Sequence, residues 1–343
     1  MFDFVNLPTP QPRSHYIRTT WMVSSDEIEL KLSDSSRIRL FSETEAQNLA
    51  ILMRKRNVFI RHSYEQSFYL QRINAFANHT VIEIVFDGYP KEADERANKR
   101  ANLIERLAIL SASLVLKRNE LHQKLGISSN LKTEIDFSWE PGLQYFSSKM
   151  RAARPISGVR VDEQFCRRFS KCGFEKLYDY CLSQGSMSER VNLSLSWLFE
   201  ARQEPNLMAS VVKTSIALES LLIFNESEAL ARALSERVAF ILSSLPSARN
   251  EISRIVKRFY EVRSGIVHGS RKKVSKLSPE LVEAIDRFCI LLYLTIASNS
   301  ELWASKQDLQ NWCESERWGN PTINIQPTSL RRYVNNAIKL GQL

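Results

Sequence analysis

The chain has 343 residues, 43% of them hydrophobic and 25% charged, with a formal net charge of +9. That length allows two domains of ordinary size with buried cores, and the composition excludes a disordered or low-complexity chain. Five cysteines without a CxxC pair fit a reducing cytoplasm and suggest neither a disulfide frame nor a zinc site. No basic flank followed by an apolar run opens the sequence, so no signal peptide is expected and the reading is cytoplasmic.

In chain order, period-two or β-branched patterns predict strands at 28–32, 38–41, 58–61, 68–73 and 80–86. Ser42-Glu-Thr-Glu45 is a capping box opening a helix to about residue 56. From Pro90 a longer helix is expected to residue 125, with Leu103, Leu107, Leu110 and Leu114 at helical spacing. Residues 1–150 therefore read as an α+β domain of mixed charge, a candidate sensor or regulatory part. It holds no glycine-rich phosphate loop, HExxH or GxSxG, and no chemistry is assigned to it.

Residues 126–158 carry few periodic signals and lead into an all-helical domain over 151–303. Helices are expected at about 162–182, 188–202, 206–224, 227–244, 248–267 and 279–303. Asn206 precedes one apolar run, and Ser247, after Pro246, can cap the next basic helix. Ser278-Pro279-Glu280 combines a cap, a first-turn proline and an acid favoured by the dipole, while Gly269 is placed as a C-terminal cap. Short connections between long amphipathic helices argue for an antiparallel bundle. The most apolar stretch, Leu281 to Ala297, is interrupted by Glu283, Asp286 and Arg287, which predicts a buried helix and no membrane span. Residues 304–343 form a C-terminal extension, and Trp303, Trp312 and Trp318 near the C-terminus are either a satellite core or a partner surface.

Charge is unevenly placed. Between Arg249 and Lys276 nine basic residues face Glu251 and Glu261, so +7 of the chain's +9 lies in one window. Such a surface attracts a polyanion with steep salt dependence, although a solvated helix face has the same composition. Arg254, Lys257, Arg258, Arg271, Lys272 and Lys273 are the candidate contacts to an RNA backbone.

Inside this window stands Tyr260-Glu-Val-Arg-Ser-Gly-Ile-Val-His-Gly269, with Arg263 and His268 separated by four residues. Arginine holds a phosphate bidentately at any pH, and histidine moves protons near neutrality. Together they suit metal-free RNA cleavage, in which the neighbouring 2′-hydroxyl attacks the phosphate. Spacing alone does not single them out, because Arg56/His62 and Arg72/His79 are similarly spaced in segments that read as strands or turns. On the basic helix Ile252, Ile255, Val256, Phe259, Val262 and Ile266 form the apolar stripe, with Arg263 at its edge. His268 stands about 140° round an ideal helix from Arg263, so the two share no face unless the helix loosens near Gly265 or ends early. The alternative is convergence with residues of a second subunit. Glu219 either orients Arg263 or is an ordinary helix partner. Tyr260 either stacks a base or packs inside, and Ser264 is the polar residue that follows the arginine. His15 and His122 have no partners at ligand spacing, and no metal or other cofactor is called for.

Three segments together resemble the Apea-like HEPN domain family: Ser215-Ile-Ala-Leu-Glu-Ser-Leu-Leu222, Leu234-Ser-Glu-Arg-Val-Ala-Phe-Ile-Leu242 and Tyr260 to Gly269. They show that family's order: an acidic residue in an apolar helix, a Ser-Glu-Arg helix, then Arg-x4-His-Gly. The resemblance spans roughly residues 186–300. It implies a helical bundle that dimerises, or forms a higher even oligomer, with paired Arg-x4-6-His motifs making a metal-independent endoribonuclease. Many such proteins defend bacteria against phage by cleaving RNA and halting growth, which implies a toxin held until a phage-derived or cellular trigger. Arg263 and His268 match the motif, while Ser264 stands where many HEPN nucleases have Asn, Asp or His. The alternative is a non-catalytic HEPN module that binds RNA, nucleotide or protein in a larger assembly.

Overall fold

The computed structural model describes residues 11–18, 22–24, 28–34, 36–55, 79–88, 90–125, 132–139, 146–153, 158–225, 229–317 and 327–343. The chain divides into two compact units, 1–109 with 123–167 and 110–122 with 168–343. The boundary expected near residue 150 falls instead at 167/168, and Leu110–His122 also belongs with the helical part.

The first unit contains the strands β1 (Gln11–Arg18), β2 (Met22–Ser24), β3 (Leu30–Lys31) and β4 (Arg37–Phe41), and then β5 (His79–Gly88), β6 (Lys132–Trp139), β7 (Phe146–Ala153) and β8 (Val159–Val161). Six of them form one antiparallel sheet in the order β3-β4-β5-β1-β6-β7, and β2 pairs with β8 in parallel. On β5, Val81, Ile82 and Ile84 are buried, and so is Glu83 between them. Arg37, its register partner on β4, donates to Glu83 at 2.6 Å, and Arg39 donates to the same carboxylate. A buried acid is tolerated there because two guanidinium groups replace its water. The capping box forms as read: Ser42 N–H donates to Glu45 at 2.9 Å and Glu45 N–H to Ser42 Oγ at 3.2 Å, opening α1 (Glu43–Lys55). The strands expected at 58–61 and 68–73 lie outside the described residues.

The helix expected at 90–125 is two helices, α2 (Pro90–Ser113) and α3 (Arg118–Leu125), parted by a turn over 114–117. The helix expected at 162–182 is also two, α4 (Glu163–Cys172) and α5 (Phe174–Leu182), because Gly173 between them adopts φ 87°. That left-handed conformation ends a helix and favours glycine. There follow α6 (Ser186–Gln203), α7 (Leu207–Leu222), α8 (Leu230–Leu242), α9 (Pro246–His268), the short α10 (Arg271–Val274) and α11 (Pro279–Ser298), close to expectation. Asn206 caps α7 by accepting from Met208 and Ala209 N–H, and Ser278 caps α11 by accepting from Leu281 N–H. Ser247 does not cap α9. The cap position falls on Leu245 and Pro246 is the first helical residue, so Ser247 already lies inside the first turn. The C-terminal segment adds α12 (Lys306–Arg317) and α13 (Arg331–Gln342) to this unit. Trp303 and Trp312 are buried with ring centroids 5.0 Å apart, a core and not a partner surface, while Trp318 lies outside the described residues.

Helix α11 is the axis of the bundle. Every residue from Leu281 to Ala297 is buried, and α5, α6, α7, α8, α9 and α13 all pack against it. Among the described residues no helix is long and apolar enough to cross a membrane. The three charged residues that interrupt its apolar run are buried as well, inside an ionic cluster. Arg202 of α6, fully buried, donates to Glu283 at 2.7 Å and Asp286 at 3.1 Å. Arg287 donates to Glu283 at 2.9 Å, and Arg118 to Asp286 at 3.1 Å. Thr214 of α7 donates to Asp286 at 2.9 Å. Burial by itself would raise the Glu283 carboxyl, but Arg202 and Arg287 outweigh it and hold the group below its ordinary range. Arg118 also donates to the carbonyls of Ala201 and Glu204 at the end of α6, which is why Leu110–His122 belongs with the bundle.

Removing one partner from such a cluster leaves a charge buried and unpaired, at a cost of about 3–5 kcal/mol. Arg202→Ala is therefore expected to lower unfolding stability by that amount, read as a drop in the urea midpoint at unchanged slope. A change below about 1 kcal/mol would show that the cluster does not hold the bundle together.

Candidate nucleic-acid site on the basic helix

Helix α9 forms because Ile252, Ile255, Val256, Phe259 and Val262 recur at helical spacing and are all buried. It ends at His268 because Gly269 takes φ 70°, and the N–H groups of Gly269 and Ser270 both turn back to the Gly265 carbonyl. It neither loosens at Gly265 nor stops short of His268. At 100° per residue the unbroken helix sends Arg263 and His268 to directions about 140° apart. Within one chain, then, the two do not share a face.

Arg263 points toward α7. Its Nη2 lies 3.4 Å from Glu219 Oε1, and its Nε donates to Ser215 Oγ at 3.4 Å. The Tyr260 hydroxyl is 3.3 Å from both the Ser215 carbonyl and Glu219 Oε1. Burial, then the nearby Glu219 carboxylate, push the Tyr260 phenol well above its ordinary range, so it stays protonated and can donate to that carboxylate. Tyr260 is only 5% exposed and packs edge-on to Phe259 at 5.8 Å. It is a support for Glu219 and is not open to stack a base. Ser215 has no prominence in the sequence, because a serine in an apolar helix reads as filler.

His268 is exposed, and among the described residues none hydrogen-bonds its imidazole. Taking 100° per residue, Arg254, Lys257, Arg258, Glu261, Ser264 and Gly265 all fall within about 80° of His268. The histidine therefore stands at the end of a cationic face, opposite the side that carries Arg263. Lys257 is exposed, Arg258 is half-buried, and Arg254 is exposed and pairs with Glu251. Arg271, Lys272 and Lys273 are exposed on α10.

Gly265 explains how α10 reaches that face. A Cβ placed there would lie 2.5 Å from Lys273 Cβ and 3.1 Å from Val274 N, so only glycine lets α10 lie against α9. Lys273 Nζ then reaches Ser264 Oγ at 3.5 Å, and Lys276 pairs with Glu261 at 2.7 Å. Of the two acids in the basic window, Glu261 is thus neutralised by Lys276 and Glu251 by Arg254. A glycine between apolar helical residues is a recognised sign of close backbone approach, and it was the available signal for this packing.

A cleft of about 740 Å³ elsewhere in the unit is lined by Lys176, Asp179, Tyr180 and Glu301 among others. It contains neither Arg263 nor His268 and mixes charges of both signs, so the cationic face of α9 is the stronger candidate. Among the described residues no group of three His, Cys, Asp or Glu side chains is placed to hold a metal ion. Comparison with family models, with curated proteins and with solved structures yields no match.

Gly265→Ala forces a Cβ into Lys273 and lifts α10 from α9. Weaker nucleic-acid binding is expected, with the slope of log affinity against log salt reduced by about 1–3, since up to three cations leave the face. An unchanged salt slope in a fluorescence titration would separate α10 from the binding surface.

Proposed function

We propose that this protein is a metal-independent endoribonuclease of the HEPN type, working as a dimer or higher even oligomer. The observation that carries this reading is that one cationic helix carries both a loosely held arginine and, on a separate face at its end, an exposed histidine. Arg263 sits 3.4 Å from its carboxylate, whereas strong charge-assisted pairs close to about 2.7–2.9 Å, so its guanidinium keeps donors for a phosphate.

The chemistry follows from those two groups. One His268, neutral, takes the proton of the 2′-hydroxyl as its oxygen bonds to phosphorus. The P–O5′ bond breaks, and a second, protonated His268 gives its proton to the leaving oxygen. Arg263 stabilises the charge that grows on the phosphoryl oxygens. In-line attack puts base and acid on opposite sides of phosphorus, so one histidine cannot serve as both. Moreover, the 140° between Arg263 and His268 on an unbroken helix keeps one chain from setting both against one phosphate. A two-fold assembly supplies two copies of each. The products are a 2′,3′-cyclic phosphate and a 5′-hydroxyl end.

Lys257, Arg258, Arg271, Lys272 and Lys273 contact the RNA backbone in this reading, Glu219 and Tyr260 hold Arg263, and Ser264 stays on the basic face. In the cell such an enzyme acts as a restrained toxin of antiviral defence, released by a phage-derived or cellular trigger. The first unit is then the candidate sensor. A second reading, a non-catalytic module that binds RNA, nucleotide or protein, is favoured by the divergence of Arg263 and His268 within one chain.

The purified protein incubated with RNA in EDTA is expected to leave cyclic phosphate ends, and His268→Ala to cut at least about 100-fold more slowly. Equal cleavage patterns from both proteins would remove the nuclease reading. Expression is expected to arrest growth in the wild type and to be harmless with Arg263→Ala.

A further inference from the structure

The cationic face of α9 has a gap that α10 and the turn after it fill. At 1.5 Å per residue, Arg254, Lys257 and Arg258 span about 6 Å of the helix, and His268 lies about 21 Å from Arg254. Between them the face presents Glu261 and Ser264, an acid and a neutral residue. Lys276 reaches back to Glu261 at 2.7 Å, and Lys273 to Ser264 at 3.5 Å. Both lysines are exposed. They stand about 10 Å and about 15 Å along the same line from Arg254, so a straight row of basic groups runs to His268.

The shape and the chemistry of the row both bear on what it binds. A strand of a duplex advances about 3.4 Å per phosphate while it winds round the axis, so a straight row crosses such a strand instead of following it. An unpaired strand can lie along the row, and a length of about 21 Å takes no more than about six of its phosphates. Apart from His268, the aromatic residues between 245 and 278 are Phe259 and Tyr260, and both are buried. Neither can stack a base, so contact on this face goes to phosphate and sugar. We propose that the row formed by α9 and α10 binds an unpaired RNA tract through successive phosphates without regard to base, and that Lys276 keeps the row continuous by cancelling Glu261. Lys276 is thus a positioning residue: its contribution is to remove an anion from the path of the strand. This inference deepens the ribonuclease reading and rests on its RNA-binding face.

Fluorescence anisotropy on the full chain, carrying His268→Ala so that the RNA stays whole, tests it with a short unpaired RNA. Adding Lys276→Ala is expected to weaken binding about 5-fold, the effect in water of one like charge about 4 Å from a phosphate. Glu261→Gln on top of it should restore the affinity, which it would not do if Lys276 merely held α10 in place. Both side chains are exposed, so neither change threatens the fold. Abasic nucleotides along the tract are expected to leave affinity within about 3-fold, because stacked bases would each contribute more than that. Neutral methylphosphonate links are expected to weaken it at least about 10-fold, and annealing the complement to weaken it as well. Unchanged affinity in Lys276→Ala, a loss that Glu261→Gln fails to repair, a larger loss with abasic links, or tighter binding of the duplex would each overturn the assignment. The nuclease reading is judged separately, on cutting by the wild type. Base-blind binding without cutting would end that reading and leave this one standing, and cutting without this binding pattern would do the reverse.

Discussion

Two carboxylates inside a wholly buried helix dictate how the helical unit closes. Glu283 and Asp286 interrupt α11 on the side where α6 and α7 pack, and carboxylates buried there need cations beside them. The guanidinium groups come from three places in the sequence: Arg202 on α6, Arg287 one turn along α11, and Arg118 at the start of α3. Each must arrive at hydrogen-bonding distance or leave a charge stranded. The cluster therefore adds less to net stability than to the choice of one packing over its alternatives. Thr214 ties α7 into the same network.

The tie through α7 matters for the site. Thr214 bonds the core cluster and its neighbour Ser215 bonds Arg263, so one helix joins the ionic core to the candidate site. The ion pairs at its two sides differ in kind. Arg202 and Glu283 are desolvated and close to 2.7 Å, which suits a fixed structural role. Arg263 and Glu219 are about three-quarters buried and stay at 3.4 Å, a looser and wetter pair. Tyr260, protonated and buried, keeps Glu219 from swinging away.

On α9, helical geometry separates two tasks. The face toward α7 carries Arg263 and an uncovered apolar edge, and the solvent face carries the cations and His268. Gly265 then lets α10 fold back, so that Lys273 and Lys276 join that solvent face. Composition places the charge near the motif, whereas this fold-back decides which side of the helix receives it. In electrostatic terms the cationic face is continuous because both its acids are already paired.

Local sequence determined the helices of the second unit, since apolar residues at 3.6-residue spacing with Asn206, Ser278 and Gly269 at their ends specify helix and stop within a few residues. The capping box at Ser42 and the strands at 38–41 and 80–86 were legible for the same reason. Strands β1, β6 and β7 were not: Phe146–Ala153 reads Phe-Ser-Ser-Lys-Met-Arg-Ala-Ala, and only pairing with β6 makes it a strand. Gly173 divides a helix that periodicity alone would continue. The motif Arg-x4-His was visible as a spacing, and the 140° between its members followed from it. What only the tertiary structure decided was that α9 runs unbroken past Gly265, that Arg263 turns to Glu219 and Ser215, and that Arg118 enters the bundle from the far half of the chain. The last two outcomes depend on contacts between residues 44 to 168 positions apart, and no local pattern of side chains encodes which distant partner will satisfy a buried charge.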